Sequence, residues 1–150
     1  MAYAENTADG DKGAAGLSVL LPPAKLAAAI GLGVGLWFVA AMWMRYSVPM
    51  GFYGGSAGVI SFAAFVPVAW GLLQAIKLML RLTPGEVVSA FAVGTGAATL
   101  CDGTAFTWFP TLYGPDPALH TVTAAYILWG AGVGLVVAYA DACWMVSRRG

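Results

Sequence analysis

A few polar side chains lie inside long apolar stretches of this 150-residue sequence, and they are its candidates for chemistry. Thr95, Thr99 and Asp102 are spaced so that they share one face of a helix. Such a stripe could coordinate a cation, relay a proton or bind a polar headgroup. The structural alternative is that the threonines bond to their own helix while Asp102 pairs with Arg45 as a strut.

A second set of charged residues is expected at the opposite depth of the same apolar region. Lys77 or Arg81 could pair there with Asp141 or Glu86, because an acid in a membrane usually faces protein and has a partner. Glu86 also has a simpler explanation, since an acid is favourable at the N-terminus of a helix. The sequence therefore predicts two layers of ionisable groups and leaves open whether they are functional or structural.

No catalytic, metal or cofactor motif accompanies these residues. His120 is the only histidine, so a haem held by two histidines of this chain is excluded and a histidine-based metal site is not expected. The sequence has no GxSxG motif and no CxxC motif, and Cys101 and Cys143 are expected at opposite depths. We therefore predict no catalytic residues, no metal and no cofactor.

Four apolar stretches, each about as long as a membrane-spanning helix, position these side chains. The composition is 60% hydrophobic and only 9% charged, whereas soluble domains carry about 25% charged residues. The formal net charge of zero argues against a nucleic-acid partner. We predict an all-α membrane protein, an antiparallel bundle of four transmembrane helices, in which short links make consecutive helices neighbours. The predicted spans are residues 24–44, 56–80, 83–109 and 117–146.

The ends of these stretches carry recognisable signals. Residues 1–21 form a predicted flexible polar tail with a short interfacial segment, and residues 22–150 form the transmembrane domain. Thr83, Pro84 and Glu86 have the types expected at a helix start. Pro67 lies inside the second span, where it predicts a kink.

Basic residues predict the orientation of the bundle. In a topology of four spans, six of the seven fall on one side, and Arg45 falls on the other. Because cytoplasmic segments are enriched in lysine and arginine, we place both termini in the cytoplasm and the chain in a bacterial inner membrane. The six are Lys12, Lys25, Lys77, Arg81, Arg148 and Arg149.

Small residues at four-residue spacing predict close helix packing. Lipid provides little hydrophobic drive for helix association, so such positions favour close backbone approach. The same faces could pack within one bundle or dock a second subunit. On the last span the small-residue face also carries Asp141, which is therefore expected to point into protein. The candidates are Gly31, Gly35, Gly94, Gly130 and Gly134.

The most distinctive part of the chain runs from the third span into the fourth. Asp102, the pair Phe109-Pro110, the pair Trp129-Gly130 and Arg45 together resemble a family of short bacterial four-helix membrane proteins known only as a domain of unknown function. The resemblance covers about half of the chain. It implies the same topology and carries no activity.

Three functions are compatible with these residues. The first is an accessory or scaffold subunit that packs against another membrane protein or a second copy, favoured by small size, glycine-lined helices and short loops. The second is a small proton- or ion-coupled transporter that uses Asp102 and Asp141. The third is an enzyme that binds a lipid or quinone headgroup with a paired acid and arginine. Beyond the lipid bilayer, the sequence identifies no partner.

Overall fold

The computed structural model describes residues 20–148, which form four long helices joined by short connections. Helix α1 is Pro23–Ser47, α2 is Gly55–Leu80, α3 is Pro84–Trp108 and α4 is His120–Ser147. Three short 3-10 helices lie at Val48–Met50, Pro110–Tyr113 and Pro117–Leu119. The four helices lie close to the four predicted spans, and the predicted tail falls almost entirely outside the described residues.

Local sequence explains where the helices begin and end. Pro23 and Pro84 occupy first helical positions, where a proline costs no backbone hydrogen bond. At the start of α3, Glu86 Oε2 accepts from Thr83 N at 2.8 Å, which is the side-chain half of a capping box. Helix α2 ends where Arg81 adopts a left-handed conformation with φ of 49°. The helix start predicted at residues 83–86 is therefore confirmed.

The bundle has two ends, a terminal end and a loop end. At the terminal end α1 begins, α4 ends, and α2 connects to α3. At the loop end lie the connections from α1 to α2 and from α3 to α4. Because the chain runs up and down, α1 is parallel to α3 and α2 is parallel to α4.

Packing does not follow chain order. Helix α1 packs along α3, α3 along α4, and α4 along α2, whereas α1 and α2 barely touch. The prediction that consecutive helices are packed neighbours holds for α3 and α4 and is wrong for α1 and α2 and for α2 and α3. The α1–α2 connection, which has its own 3-10 helix and glycine turns, is long enough to let the two helices separate.

The α1–α3 contact depends on a pair of glycines. A Cβ at Gly33 would lie 2.8 Å from Gly94 Cα and would collide with the Gly94 carbonyl. Gly94 thus packs as predicted, but Gly33 was not among the predicted residues. A Cβ at Gly31 or at Gly35 would meet nothing within 4 Å, so their predicted role in packing inside this bundle is wrong. Residues two apart on a helix face different directions, which explains why the packed glycine is Gly33.

The glycines of α4 also differ from each other. A Cβ at Gly130 would lie 3.2 Å from the Phe65 ring, so this position packs against α2 as expected. A Cβ at Gly134 would meet nothing within 4 Å, although Gly134 lines an internal cavity described below. The predicted packing role is therefore correct for Gly130 and wrong for Gly134.

Three of the four helices are long and apolar enough to cross a membrane, within residues 23–50, 55–80 and 117–147. Helix α3 carries glutamate, aspartate and several threonines and is not among them. It is also the helix that packs against both α1 and α4. The most polar helix therefore has protein on two sides.

Candidate functional site

A cavity of about 660 Å³ lies between the four helices. All four contribute to its wall, and nearly all of the lining side chains are apolar. Val39 of α1 and Val68 of α2 line it and are nevertheless 64% and 61% exposed. Since α1 and α2 barely touch, the opening of the cavity lies between these two helices.

Asp102 is the charged side chain in this wall, among the lining residues that the structure describes. It is only 9% exposed. Its Oδ1 accepts a hydrogen bond from Trp37 Nε1 at 2.9 Å and another, very short one from the Tyr113 hydroxyl. Within residues 20–148, Oδ2 has no protein hydrogen bond, and it is not sealed from accessible space. One carboxylate oxygen is thus held in place and the other is left available.

Tyr113 is fixed at the loop end by its surroundings. Its ring stacks on Phe106 with a centroid distance of 4.0 Å, and the residue is only 2% exposed. Burial and the hydrogen bond to Asp102 raise the pKa of the Tyr113 hydroxyl above its usual range. The hydroxyl therefore keeps its proton and acts as a donor to the carboxylate.

Arg45 does not pair with Asp102, so this part of the prediction is wrong. Its Nη1 donates to the carbonyls of Thr111 at 2.6 Å and Leu112 at 3.2 Å. These carbonyls belong to the 3-10 helix after α3, whose end is free to accept side-chain donors. The site proposed for a headgroup, a paired acid and arginine, is consequently not assembled.

The threonines of the predicted stripe lie beside Asp102 in the cavity wall, as their spacing indicated. Thr99 Oγ1 donates to the Thr95 carbonyl at 2.8 Å, so this hydroxyl bonds back to its own helix. The shared face is confirmed, and the structural interpretation of Thr99 is confirmed with it. Asp102 is the charged member of the stripe, and its Oδ2 has no protein hydrogen bond within residues 20–148.

The acid of α4 is in a different situation at the terminal end. Asp141 Oδ2 lies 2.5 Å from Lys77 Nζ, and Asp141 Oδ1 accepts from Gln74 Nε2 at 3.0 Å. Lys77 also donates to Gln74 Oε1 at 3.1 Å. The predicted pair of Lys77 and Asp141 is confirmed, and Gln74 completes a closed network that the prediction did not include. Asp141 is therefore fully engaged in joining α2 to α4.

Glu86 joins α1 to α3 at the same end. Its Oε2 lies 2.7 Å from Lys25 Nζ, and Lys25 also donates to the Arg81 carbonyl at 3.1 Å. Sequence reasoning offered Lys77 or Arg81 as partners and treated Lys25 only as a marker of orientation. The parallel packing of α1 on α3 is what brings the two helix starts together, and no local pattern signals that arrangement.

Two partners of Asp102 were also missed, and one signal could have found them. A carboxylate in an apolar helix without a nearby base needs hydrogen-bond donors, and a buried indole N–H or phenol O–H usually needs an acceptor in turn. Trp37 and Tyr113 are the indole and the phenol that meet this need. His120, at the loop end, contacts the Gly114 carbonyl at 3.1 Å.

Comparison of the chain with protein-family models, with curated proteins and with solved structures finds no match. The resemblance to a family of four-helix bacterial membrane proteins therefore stays a prediction.

Proposed function

We propose that this chain is a four-span membrane protein that binds a lipophilic solute in its central cavity and admits it from the bilayer between α1 and α2. The observation that carries the proposal is the cavity itself, which has an apolar wall, contains one carboxylate and opens where two helices fail to pack. Its volume of about 660 Å³ lies within the usual range of ligand pockets, about 300–1,000 Å³. Because the opening faces the side of the bundle, a solute already dissolved in lipid would enter without crossing water.

The proposed placement is a bacterial inner membrane with both termini in the cytoplasm. The excess of lysine and arginine at the terminal end supports it. In this placement Asp102 lies toward the outer leaflet, and the two ion pairs lie toward the cytoplasm. The predicted tail would begin on the cytoplasmic side.

Binding in such a cavity is the first step of transport, so the proposal favours a small transporter over a membrane enzyme. Of the two acids considered for that role, Asp102 is the one whose carboxylate has an oxygen free to meet a solute. Asp141 is engaged by Lys77 and Gln74. Any coupling to protons or ions would therefore act at Asp102.

A matched pair of glycines on α4 tests the proposal. A Cβ at Gly134, which lines the cavity, would meet nothing within 4 Å, so a leucine there would add its side chain to the cavity, whereas Gly132 is exposed and lies outside the lining. The protein in nanodiscs would be titrated with N-phenyl-1-naphthylamine, a neutral lipophilic fluorophore, and the signal of empty nanodiscs subtracted. Gly134→Leu should abolish saturable binding, and Gly132→Leu should retain it. Equal binding by the unmodified chain, Gly134→Leu and Gly132→Leu would refute the proposal.

A second function, an accessory subunit, has its own supporting observation. Gly31 and Gly35 lie four residues apart on an exposed face of α1, where a Cβ would meet nothing. Small residues at this spacing are typical of close helix association in membranes. We propose this face as the contact with another membrane protein or a second copy. Native mass spectrometry should then show a larger particle that Gly31→Leu with Gly35→Leu reduces to a monomer, whereas Gly132→Leu leaves it intact.

A further inference from the structure

We infer that the solute is a lipophilic organic cation, whose ammonium group binds Asp102 Oδ2 and whose apolar part extends toward the terminal end of the cavity. This inference rests on the proposed function, because it names the chemical class of the solute for the same cavity. It follows from three features of the wall: its charge, its aromatic rings and the distribution of polar groups along its length.

The charge of the wall is negative and localised. Asp102 is more than nine-tenths buried, and both of its protein donors, Trp37 Nε1 and the Tyr113 hydroxyl, bond to Oδ1. The two donors fix the orientation of the carboxyl group without supplying a full positive charge. A buried carboxylate is costly unless a cation compensates it. A cationic solute would therefore bind most favourably at the free Oδ2.

Basic side chains are absent from the cavity wall within the described part of the chain. Arg45 is held by two backbone carbonyls, and Lys25 and Lys77 are held in ion pairs at the terminal end. An anionic solute would find no compensating charge and would be repelled by Asp102. The wall consequently selects against anions as well as favouring cations.

Aromatic rings line the loop half of the cavity, the half that also contains Asp102. Trp43 Nε1 donates to the Tyr53 hydroxyl at 3.0 Å, and the Tyr53 ring contacts the Tyr126 ring edge-on at 4.7 Å. These three rings and that of Trp37 line the wall. Ring faces attract organic cations, and the attraction is larger where water is excluded. The rings therefore favour a positive group in the loop half of the cavity.

The terminal half of the wall is mostly aliphatic, although the Phe91 ring also lines it, and none of its described lining side chains is charged. Leu72, Ile76 and Leu80 of α2 line it. These side chains are about as apolar as lipid chains, so the hydrocarbon part of a solute could leave the bilayer for this half of the cavity without meeting a polar surface. The two halves together fit a molecule with one charged end and one apolar end, oriented with its charge toward the loop end.

Three naphthalene derivatives of similar size provide the test. N,N-dimethyl-1-naphthylmethylamine is cationic at neutral pH, 1-(methoxymethyl)naphthalene is neutral, and 1-naphthylacetate is anionic. Their equilibrium binding to the full chain in nanodiscs would be measured by liquid chromatography and mass spectrometry, with empty nanodiscs subtracted. A hydrogen bond to a charged group contributes about 1.5–3 kcal/mol, so the amine should bind at least about tenfold more tightly than the ether. The carboxylate should bind most weakly.

Two variants connect this preference to Asp102. Asp102→Asn keeps an oxygen acceptor for Trp37 and Tyr113 and removes the charge, so the affinity for the amine should fall to that for the ether while the ether is unaffected. Should Asp102→Asn fail to elute as a folded particle, Thr99→Lys serves instead. It places a cation on the same face of α3, one turn away, without removing a partner of Asp102.

The possible results separate the two proposals. If the ether binds to the unmodified chain as tightly as the amine, the inference of a cation is overturned, while the proposed binding of a lipophilic solute stands. If none of the three compounds binds above empty nanodiscs, the proposed function fails. An advantage of the amine that persists in the folded variants would show that Asp102 is not its partner and would overturn the inference.

Discussion

Asp102 and Asp141 are acids of nearly equal burial, 9% and 8% exposed, on two helices of the same bundle. At the terminal end, Asp141 has a lysine on one oxygen and a glutamine amide on the other, so its charge is compensated and both oxygens are occupied. At the loop end, Asp102 has two neutral donors on one oxygen and none on the other. Asp141 is therefore an acid that joins two helices, whereas Asp102 is held in one orientation with an oxygen available to bind a solute.

The largest effect is expected from breaking the network at the terminal end. Lys77→Met preserves most of the side-chain volume but leaves Asp141 as an uncompensated buried carboxylate, because the Lys77 and Asp141 side chains are only 15% and 6% exposed. Removing one partner of a buried ion pair typically costs about 3–5 kcal/mol. Unfolding in mixed micelles by sodium dodecyl sulfate measures the free energy change. Adding Asp141→Asn should recover much of the loss, and unchanged stability of Lys77→Met would contradict the assignment.

A somewhat smaller effect is expected at the glycine contact between α1 and α3. Gly33→Ala places a Cβ against the Gly94 backbone and should push α1 away from α3. Overpacking of this kind costs about 1–3 kcal/mol. Gly35→Ala, two residues along the same helix, is the control because its Cβ would meet nothing within 4 Å. Similar unfolding curves for the two variants would show that the glycine contact is not needed.

At the loop end, Tyr113→Phe removes one of the two donors to Asp102 and should destabilise the protein by about 1–2 kcal/mol at neutral pH. The difference should shrink above about pH 10, where unfolded tyrosine ionises. Because burial raises the pKa of Tyr113 in the folded protein, folded Tyr113 keeps its proton there. Its contribution to stability is therefore complete below about pH 10 and is lost as pH rises further. Unfolding measured from pH 7 to 11 checks this, and a constant difference would contradict it.

The smallest effect is expected for the other ion pair at the terminal end. The side chains of Lys25 and Glu86 are 27% and 11% exposed, so solvent screens this pair more than that of Lys77. Glu86 also keeps its hydrogen bonds from Thr83 when the lysine is removed. Lys25→Met should cost less than about 1 kcal/mol in the same unfolding assay. A loss as large as that of Lys77→Met would show that burial does not distinguish the two pairs.

Sequence reasoning succeeds where the controlling interactions are local. Apolar length places the helices, and Thr83, Pro84 and Glu86 mark the start of α3 because capping uses residues three apart. The shared face of Thr99 and Asp102 follows from helical geometry alone. Each of these features is decided within a few turns of one helix.

Sequence reasoning fails where a residue's partner depends on which helices pack against each other. The packing of α1 on α3 pairs Lys25 with Glu86 and Trp37 with Asp102, and it selects Gly33 over Gly31 and Gly35. All three outcomes follow from one parallel contact that spacing within a single helix cannot specify. Charge and depth predicted the correct partners only for Lys77 and Asp141, which lie further from their helix ends than the other charged residues at the terminal end.

The packing order of the helices also has a consequence for biosynthesis. Helices α1 and α2 emerge first but barely touch, and each packs mainly against a helix that is made later. Helix α3, which is not apolar enough by composition to qualify as a span, arrives when α1 already offers Lys25 to Glu86 and Trp37 to Asp102. In the proposed four-span placement, membrane insertion of α3 would thus depend on α1 as a template. A fragment that lacks α1 should leave α3 outside the bilayer, whereas a fragment that ends after α3 keeps α1 parallel to α3 and should insert it.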